Sequence, residues 1–280
     1  MNIDLPPGGA YPASHGEMAD LVRIKDWSNT PLGPIESWPQ SLRTTVSLCL
    51  ASNFPINIIW GPQHTQIYND GYRILCGEAH PAALGQDYSV TWASAWPAIG
   101  DPFARALGGE TTFIENQRMF LTRNGYLEET FFTFSTSPVR DESGGIGGLF
   151  HPVTETTVSM LSERRARALK DLTAALAGVE TRAQLARLSV ETLARFEFDL
   201  PFLLIYDRPE GNDDYLLAAQ HGLAAGAGLA PEILCGGATV PWPVGKVLAN
   251  RGMALQVEGI DSLLQGCQCG PYEEAPQCAF

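Results

Sequence analysis

The stretch from Glu128 to Val153 reads EETFFTFSTSPVRDESGGIGGLFHPV, and its pattern decides the architecture of the first half of the chain. Aromatic and β-branched residues fill Glu129 to Val139 and Gly145 to Val153, and Asp141-Glu142-Ser143-Gly144 between them is turn chemistry, so the spacing predicts a β-hairpin. Phe132 and Phe134 are two apart and share one strand face. A looser alternation from Thr111 to Phe120 adds a third strand, which makes an antiparallel meander. Upstream, Phe54 to Trp60 is a strand closed by Gly61-Pro62, Thr65 to Tyr68 is a second, and Asn69-Asp70 caps a helix running to about Cys76. Between Pro81 and Gly109 Pro and Gly break the chain into short helices, with Trp92 and Trp96 at i and i+4 facing one way. Two strands, a helical crossover and a meander give an α+β domain on one sheet over residues 54–154.

Residues 1–53 are expected to form a mobile tail and a helical leader. The first 18 or so residues carry Pro6-Pro7-Gly8-Gly9 and no apolar period. Met18 to Ile24 is a short helix, Thr30-Pro31-Leu32-Gly33-Pro34 a turn, and a second helix starts near Ser37 with Pro39 in its first turn. Leu42, Val46 and Leu50 fall on one face of that helix, which is expected to stop at Asn53. From Thr154 to about Phe196 the pattern is helical throughout. Val158, Leu161, Leu169, Leu172 and Leu176 make an apolar stripe, interrupted at Arg165, on a connecting helix over 155–180. Strand signals return at Phe202 to Tyr206 and Tyr215 to Ala219, followed by a helix from Val244 to Asn250 and the start of a strand at Cys278. Residues 181–280 therefore read as a second α+β domain, expected to continue past Phe280.

Composition narrows the function classes. The 280 residues carry 18 basic and 31 acidic side chains, a net charge of −13, so the bulk field repels phosphate backbones and nucleic acid is not an expected partner. No apolar run approaches the roughly 18 residues of a membrane helix, and the expected location is cytoplasmic. The six cysteines are too sparse for a disulfide framework, and Cys267, Cys269 and Cys278 do not follow zinc-knuckle spacing. None of the five histidines pairs with another at metal-ligand spacing, so no metal site is expected. Gly144 to Gly148 lacks the Lys-Ser/Thr of a phosphate loop and reads as strand glycines that avoid clashes. Glu128 and Glu129 are adjacent and point to opposite faces, so they form no carboxylate pair. No catalytic residue is assigned.

Specific motifs carry a resemblance. Asp26-Trp27-Ser28-Asn29-Thr30-Pro31-Leu32-Gly33-Pro34, Trp38-Pro39-Gln40-Ser41-Leu42-Arg43, Tyr68-Asn69-Asp70 and His80-Pro81-Ala82-Ala83-Leu84-Gly85 look like the N-terminal region of bacterial multidomain sensor histidine kinases. In those proteins a PAS domain precedes a GAF domain and the kinase core. Glu129 to Asp141 with Gly147-Gly148 is similar to the last PAS strands, and residues 169–280 look like part of a GAF domain. The resemblance implies a sensory input region of a two-component system, with a downstream kinase core and a response regulator as partners; the stripe of the connecting helix is expected either to pair with its copy in a homodimer or to pack on its own domain's sheet. No phosphoacceptor histidine or ATP-binding box of that family occurs in the chain, so the kinase chemistry belongs to a part outside it. Alternatives are a ligand-free dimerisation or scaffold module, and the input region of another output such as a phosphatase or a cyclic-dinucleotide enzyme.

In the PAS arrangement the crossover helices lie across the concave sheet face and enclose a cavity. Trp60, Tyr72, Trp92, Trp96, Phe113, Phe132 and Phe134 are the aromatic residues expected to line or fill it; a packed core without ligand is the competing expectation. No cofactor is expected, and the ligand is not identified by the sequence. His80, the nearest candidate for haem, sits before Pro81, which disfavours helical geometry, and the Asn-Cys-Arg segment of flavin photochemistry is absent.

Overall fold

Turn chemistry and alternation place five strands in the first half of the chain. The computed structural model describes residues 11–223, 228–235, 242–249, 253–264, 269–272 and 274–280. They divide into two compact units, Met1–Met160 and Leu161–Phe280. In unit 1 the elements run α1 (Glu17–Ile24), α2 (Gln40–Ala51), β1 (Ile56–Trp60), β2 (Thr65–Tyr68), α3 (Asp70–Cys76), α4 (Tyr88–Thr91), α5 (Trp96–Leu107), β3 (Thr112–Leu121), β4 (Glu128–Arg140) and β5 (Ile146–Glu155). The strands form one sheet in the order β2-β1-β5-β4-β3, every neighbouring pair antiparallel. The α+β architecture expected for residues 54–154 is therefore present, with the helical crossover between β2 and β3.

Register fixes which side chains share a face. Asn57 lies opposite His151, Ile59 opposite Leu149 and Phe134 opposite Val153, so these six point to the side covered by α3 to α5. Ile58 and Trp60 point to the other side, where α2 packs on β1, β2 and β5. Gly147 and Gly148 are required there. A Cβ on Gly148 would lie 2.4 Å from Trp60 Cε3 and 2.5 Å from the Ile59 carbonyl, which is the close approach expected of strand glycines.

The leader is part of this core. Met18, Val22, Trp27, Trp38, Leu42, Val46 and Cys49 are all buried within it. Trp27 and Trp38 meet edge to face at 4.9 Å, and their indole N–H groups donate to the carbonyls of Val22 and Gly33. The mobile tail is corrected from Tyr11 onward: its hydroxyl donates to the Arg43 carbonyl, its ring lies under the Arg43 guanidinium, and Pro12 is buried. The tail's first ten residues lie outside the described residues. Two long-range caps tie the leader down. Asp70 Oδ1 accepts from Met18 N at the start of α1, and Glu142 in the β4–β5 turn accepts from both N and Oγ of Ser41 at the start of α2.

Asn69 is the central knot. Its Oδ1 accepts from Ile56 N and Tyr72 N, and its Nδ2 shares two hydrogens among the carbonyls of Cys49, Ser52 and Phe54. One buried side chain thus caps α3, finishes α2 and starts β1, which goes beyond the capping role read from the sequence.

α6 (Thr157–Leu176) follows β5 and runs across the unit boundary. The continuous helix expected to Phe196 is corrected: Gly178, at φ 82°, ends it, and Thr181 caps a new helix, α7 (Arg182–Leu193), by accepting from Gln184 N. In unit 2, β6 (Leu203–Asp207), β7 (Tyr215–His221) and β8 (Ile233–Leu234) form an antiparallel sheet in that order, with α7 packed on β6 and β7. α8 (Val244–Ala249) precedes the pair β9 (Val257–Glu258) and β10 (Cys278–Ala279). Among the described residues, Leu223, Leu229, Ala230, Ile260, Leu264 and Cys269 form a core cluster of this unit. Cys267 lies outside the described residues, among which no group of metal-binding side chains occurs.

Candidate functional site

Between the sheet and the crossover helices of unit 1 lies a cavity of about 30 Å³, walled by Tyr72 and Leu75 of α3, Tyr88 of α4, Trp92, Ile99 of α5, and Met119, Leu121, Phe132, Phe134, His151 and Val153 of the strands. Four of the seven aromatic residues expected there, Tyr72, Trp92, Phe132 and Phe134, do form its wall. The other three do not. Trp60 is on the opposite sheet face, over Gly147 and Gly148, because β1 turns Asn57 and Ile59 to the cavity side. Phe113 is 64% exposed, because Thr112 takes the inward position at the start of β3. Trp96 is only partly buried and packs on Phe103 and Tyr88. The i, i+4 relation of Trp92 and Trp96 fails because Trp92 ends α4 with φ −108° and ψ 31°, and α5 starts afresh at Trp96.

The sequence reading missed the polar residues of this wall, Tyr88 and His151. His151 Nδ1 lies 2.9 Å from the Ser135 carbonyl and 2.9 Å from Thr136 Oγ1. A carbonyl can only accept, so Nδ1 carries the proton, and Nε2 accepts from the Tyr88 hydroxyl at 3.3 Å. Tyr72 stands in the same wall beside Tyr88, and Asn57 Nδ2 donates to Gln66 Oε1 at 2.9 Å. A directional chain runs from the Tyr88 hydroxyl through His151 to the Ser135 carbonyl. Burial pushes His151 down to about 4, against the opposing Ser135 hydrogen bond, and burial raises both tyrosines above the ordinary phenol range. All three are neutral at physiological pH. The signal for His151 was its place two residues from Leu149 and Val153, on the inward parity of an apolar strand.

A second cluster, also absent from the sequence reading, lies where β5 passes into α6. Arg123, in the β3–β4 turn, donates from Nη1 and Nη2 to the two carboxylate oxygens of Glu155, each at 2.8 Å, and also reaches Glu128 at 3.3 Å. Thr157 Oγ1 donates to Glu155 and accepts from Phe131 N, while Thr156 N donates to the Phe131 carbonyl. Burial pushes Glu155 up, but the Arg123 and Thr157 hydrogen bonds outweigh it and hold the carboxyl below the usual carboxylate range. Such a part-buried bidentate pair fixes the exit of the chain in one geometry.

Beyond that exit, no residue of α6 is buried; Val158 is 81% and Leu169 68% exposed, while Leu161, Leu172 and Leu176 are half-buried. His80 is engaged at both ring nitrogens, by Tyr68 at 3.1 Å and by Glu17 at 3.0 Å. In unit 2 an apolar cavity of about 490 Å³ is lined by Phe202, Leu204, Trp242, Val247, Val257 and Phe280 among others. No described helix is long and apolar enough to cross a membrane.

No family model matches the chain, and no curated protein matches it. Among solved structures it is similar to an RNA-binding light-oxygen-voltage receptor, at 18% identity and a TM-score of 0.35, covering 54% of this chain and 43% of that one. It is similar to a sensory box sensor histidine kinase from Vibrio cholerae, at 16% identity and TM-score 0.28, covering 41% and 87%. A PAS domain from Bordetella pertussis shares 18% identity at TM-score 0.30, covering 47% and 98%. The chain thus spans less than half of the RNA-binding receptor, and its structural neighbours are PAS and light-oxygen-voltage domains, one from a sensor histidine kinase.

Proposed function

We propose that this chain is the sensory input region of a signal-transduction protein. Unit 1 is its PAS-type sensing domain, α6 carries the state of that domain onward, and residues 181–280 are a GAF-like second input domain. The output is a histidine-kinase core acting on a response regulator, in the cytoplasm. The observation that carries the proposal is the junction of β5 with α6. The strand that places His151 and Val153 in the cavity wall ends, two residues after Val153, in the carboxylate that Arg123 and Thr157 hold at the start of the helix. A cue that repacks the cavity wall displaces β5 or the β3–β4 turn, and either displacement strains the same clamp. The mechanism is a population shift between two clamp geometries, read by whatever α6 joins.

The stripe Val158, Leu161, Leu169, Leu172 and Leu176, of which Val158 and Leu169 are exposed and none is buried, supports pairing of α6 with its copy in a homodimer, with Arg165 weakening the seam at one turn. A second reading, a dimerisation module without a bulky ligand, is favoured by the cavity volume of about 30 Å³, far below that of a ring-sized guest.

Hydrogen exchange followed by mass spectrometry on the full chain tests the relay. Phe134→Leu trims the cavity wall without touching α6, and exchange in Thr157–Met160 is expected to rise. In an Arg123→Met background the same trimming is expected to add nothing further. Unchanged exchange at the start of α6 in Phe134→Leu would remove the relay.

A further inference from the structure

Arg123 is held at both of its ends. Its side chain closes the clamp at the start of α6, and its backbone carbonyl accepts a hydrogen bond from Glu78 N at 3.0 Å. Glu78 follows directly on Gly77, which ends α3 with φ 52°. A Cβ on Gly77 would lie 2.4 Å from the Arg123 carbonyl oxygen and 3.1 Å from the carbonyl carbon, so glycine is what lets the end of this helix meet the β3–β4 turn. The same helix brings Tyr72 and Leu75 into the cavity wall. The crossover therefore touches the residue that grips the exit of the chain, by a path that bypasses β5.

The grip has two edges. Arg123 Nη1 and Nη2 bind the two oxygens of Glu155 at 2.8 Å each, whereas Nε and Nη2 both reach a single oxygen of Glu128 at 3.3 Å. Asn124 Nδ2 donates to the other Glu128 oxygen at 2.6 Å and keeps that carboxylate beside the turn. A guanidinium presents its donors in one rigid plane, and the two edges used here face different directions in it, so a shift toward Glu128 is a shift away from Glu155. Both grips are charge-assisted pairs of the same chemistry, and a small displacement of the turn is enough to redistribute Arg123 between them.

We propose that Arg123 is a two-position switch set by the end of α3: it grips Glu155 in the arrangement described, and closes on Glu128 when Gly77 and Glu78 press on the turn, which frees the start of α6. This rests on the sensory reading of unit 1 and gives it a second clamp geometry and an input from the crossover.

Hydrogen exchange followed by nuclear magnetic resonance on the full chain tests the switch. The reporters at the exit are the amides of Thr156 and Met160, which donate to the carbonyls of Phe131 and Thr156 at 2.8 and 3.0 Å; each rate is taken relative to the amides of β1, which report opening of the whole unit. Gly77→Ala presses a methyl against the Arg123 carbonyl, and both reporters are expected to exchange about fivefold faster. Adding Glu128→Gln removes the charge of the second grip and is expected to restore the native rates, a rescue that mere damage to α3 would not give. A further measurement does not depend on the folding of Gly77→Ala. Glu155→Gln releases Arg123 from the exit and, coupling being reciprocal, is expected to speed exchange of the Glu78 amide. Native rates at Thr156 and Met160 in a folded Gly77→Ala, acceleration that Glu128→Gln does not relieve, or a Glu78 amide indifferent to Glu155→Gln would each overturn the switch. Phe134→Leu separates this from the sensory reading: if that trimming acts on α6 while Gly77→Ala is silent, the crossover input alone is lost, and in the converse case the relay from the cavity alone is lost.

Discussion

Acidification acts on unit 1 through His151. The ring is 5% exposed and holds its proton on Nδ1 against the Ser135 carbonyl, so a second proton on Nε2 would turn an acceptor into a donor facing the Tyr88 hydroxyl. Burial lowers its pKa from 6.5 to about 4. The folded-state value lies below the unfolded one, so between these limits the unfolded chain binds the extra proton and stability falls as pH falls. The contribution is nearly whole at pH 7 and is lost progressively from about pH 6.5 to pH 4. With about 1.36 kcal/mol per pKa unit, going from pH 7 to pH 5 removes about 2 kcal/mol, a factor of about 30 in the folding equilibrium. Urea unfolding followed by tryptophan fluorescence is the assay, since Trp27, Trp38, Trp60, Trp92 and Trp96 all belong to unit 1 and only Trp242 to unit 2. His151→Asn keeps a polar side chain and removes the titration. His80, also shifted downward by burial and by Arg73, titrates in both proteins and cancels in the comparison. The native chain is expected to lose about 2 kcal/mol more than the variant between pH 7 and pH 5. Parallel pH profiles for the two proteins would refute the reasoning, because His151 would then not be buried as the neutral form.

Other substitutions probe the remaining parts. Asn69→Ala leaves two N–H donors and three carbonyls without their side-chain partner and is expected to cost about 3 kcal/mol or more, read as a fall in the urea midpoint; a loss under 1 kcal/mol would contradict the knot. Gly148→Ala drives a methyl into Trp60 and the Ile59 carbonyl and is expected to cost about 2 kcal/mol, whereas Trp60→Leu in the same chain should recover part of that loss by thermal unfolding. Glu155→Gln breaks the bidentate pair with Arg123, and about 1–2 kcal/mol of stability should go with it, accompanied by faster hydrogen exchange at the first turn of α6; equal exchange rates would show that the clamp does not hold the helix start.

The strands of unit 1 were legible because their information is local. Alternation of Phe132 with Phe134 and the Asp141 to Gly144 turn need no knowledge of the rest of the chain, and both the sheet and the cavity-facing pair follow from them. The tail misled for the opposite reason. Tyr11 has no period, and its packing depends on Trp38 and Arg43 of the leader, so a segment dense in Pro and Gly reads as loose although its end is packed. Aromatic residues were assigned to the cavity by type, yet parity decides: Trp60 and Phe113 each sit one residue out of phase with the inward positions Ile59 and Thr112. The clamp was illegible because Arg123 and Glu155 are 32 residues apart and meet only through the meander's register. Gly178 was a missed signal of a purely local kind, a helix-ending glycine followed by a Thr cap.

The Glu142 cap on α2 has a kinetic meaning. Its partner Ser41 lies 101 residues earlier in the chain, and the carboxylate occupies the right place only after β4 and β5 have paired. The cap of the second leader helix is therefore completed only once the last hairpin exists, and that of the first only once α3 is in place. Native interactions of such sequence separation form late on a folding path, after their loop entropy has been met. A polypeptide trimmed to residues 54–160 would lose this closing step and leave the α2 side of the sheet, with Ile58 and Trp60, open to water. Release of the leader is thus expected to set the slow unfolding of unit 1.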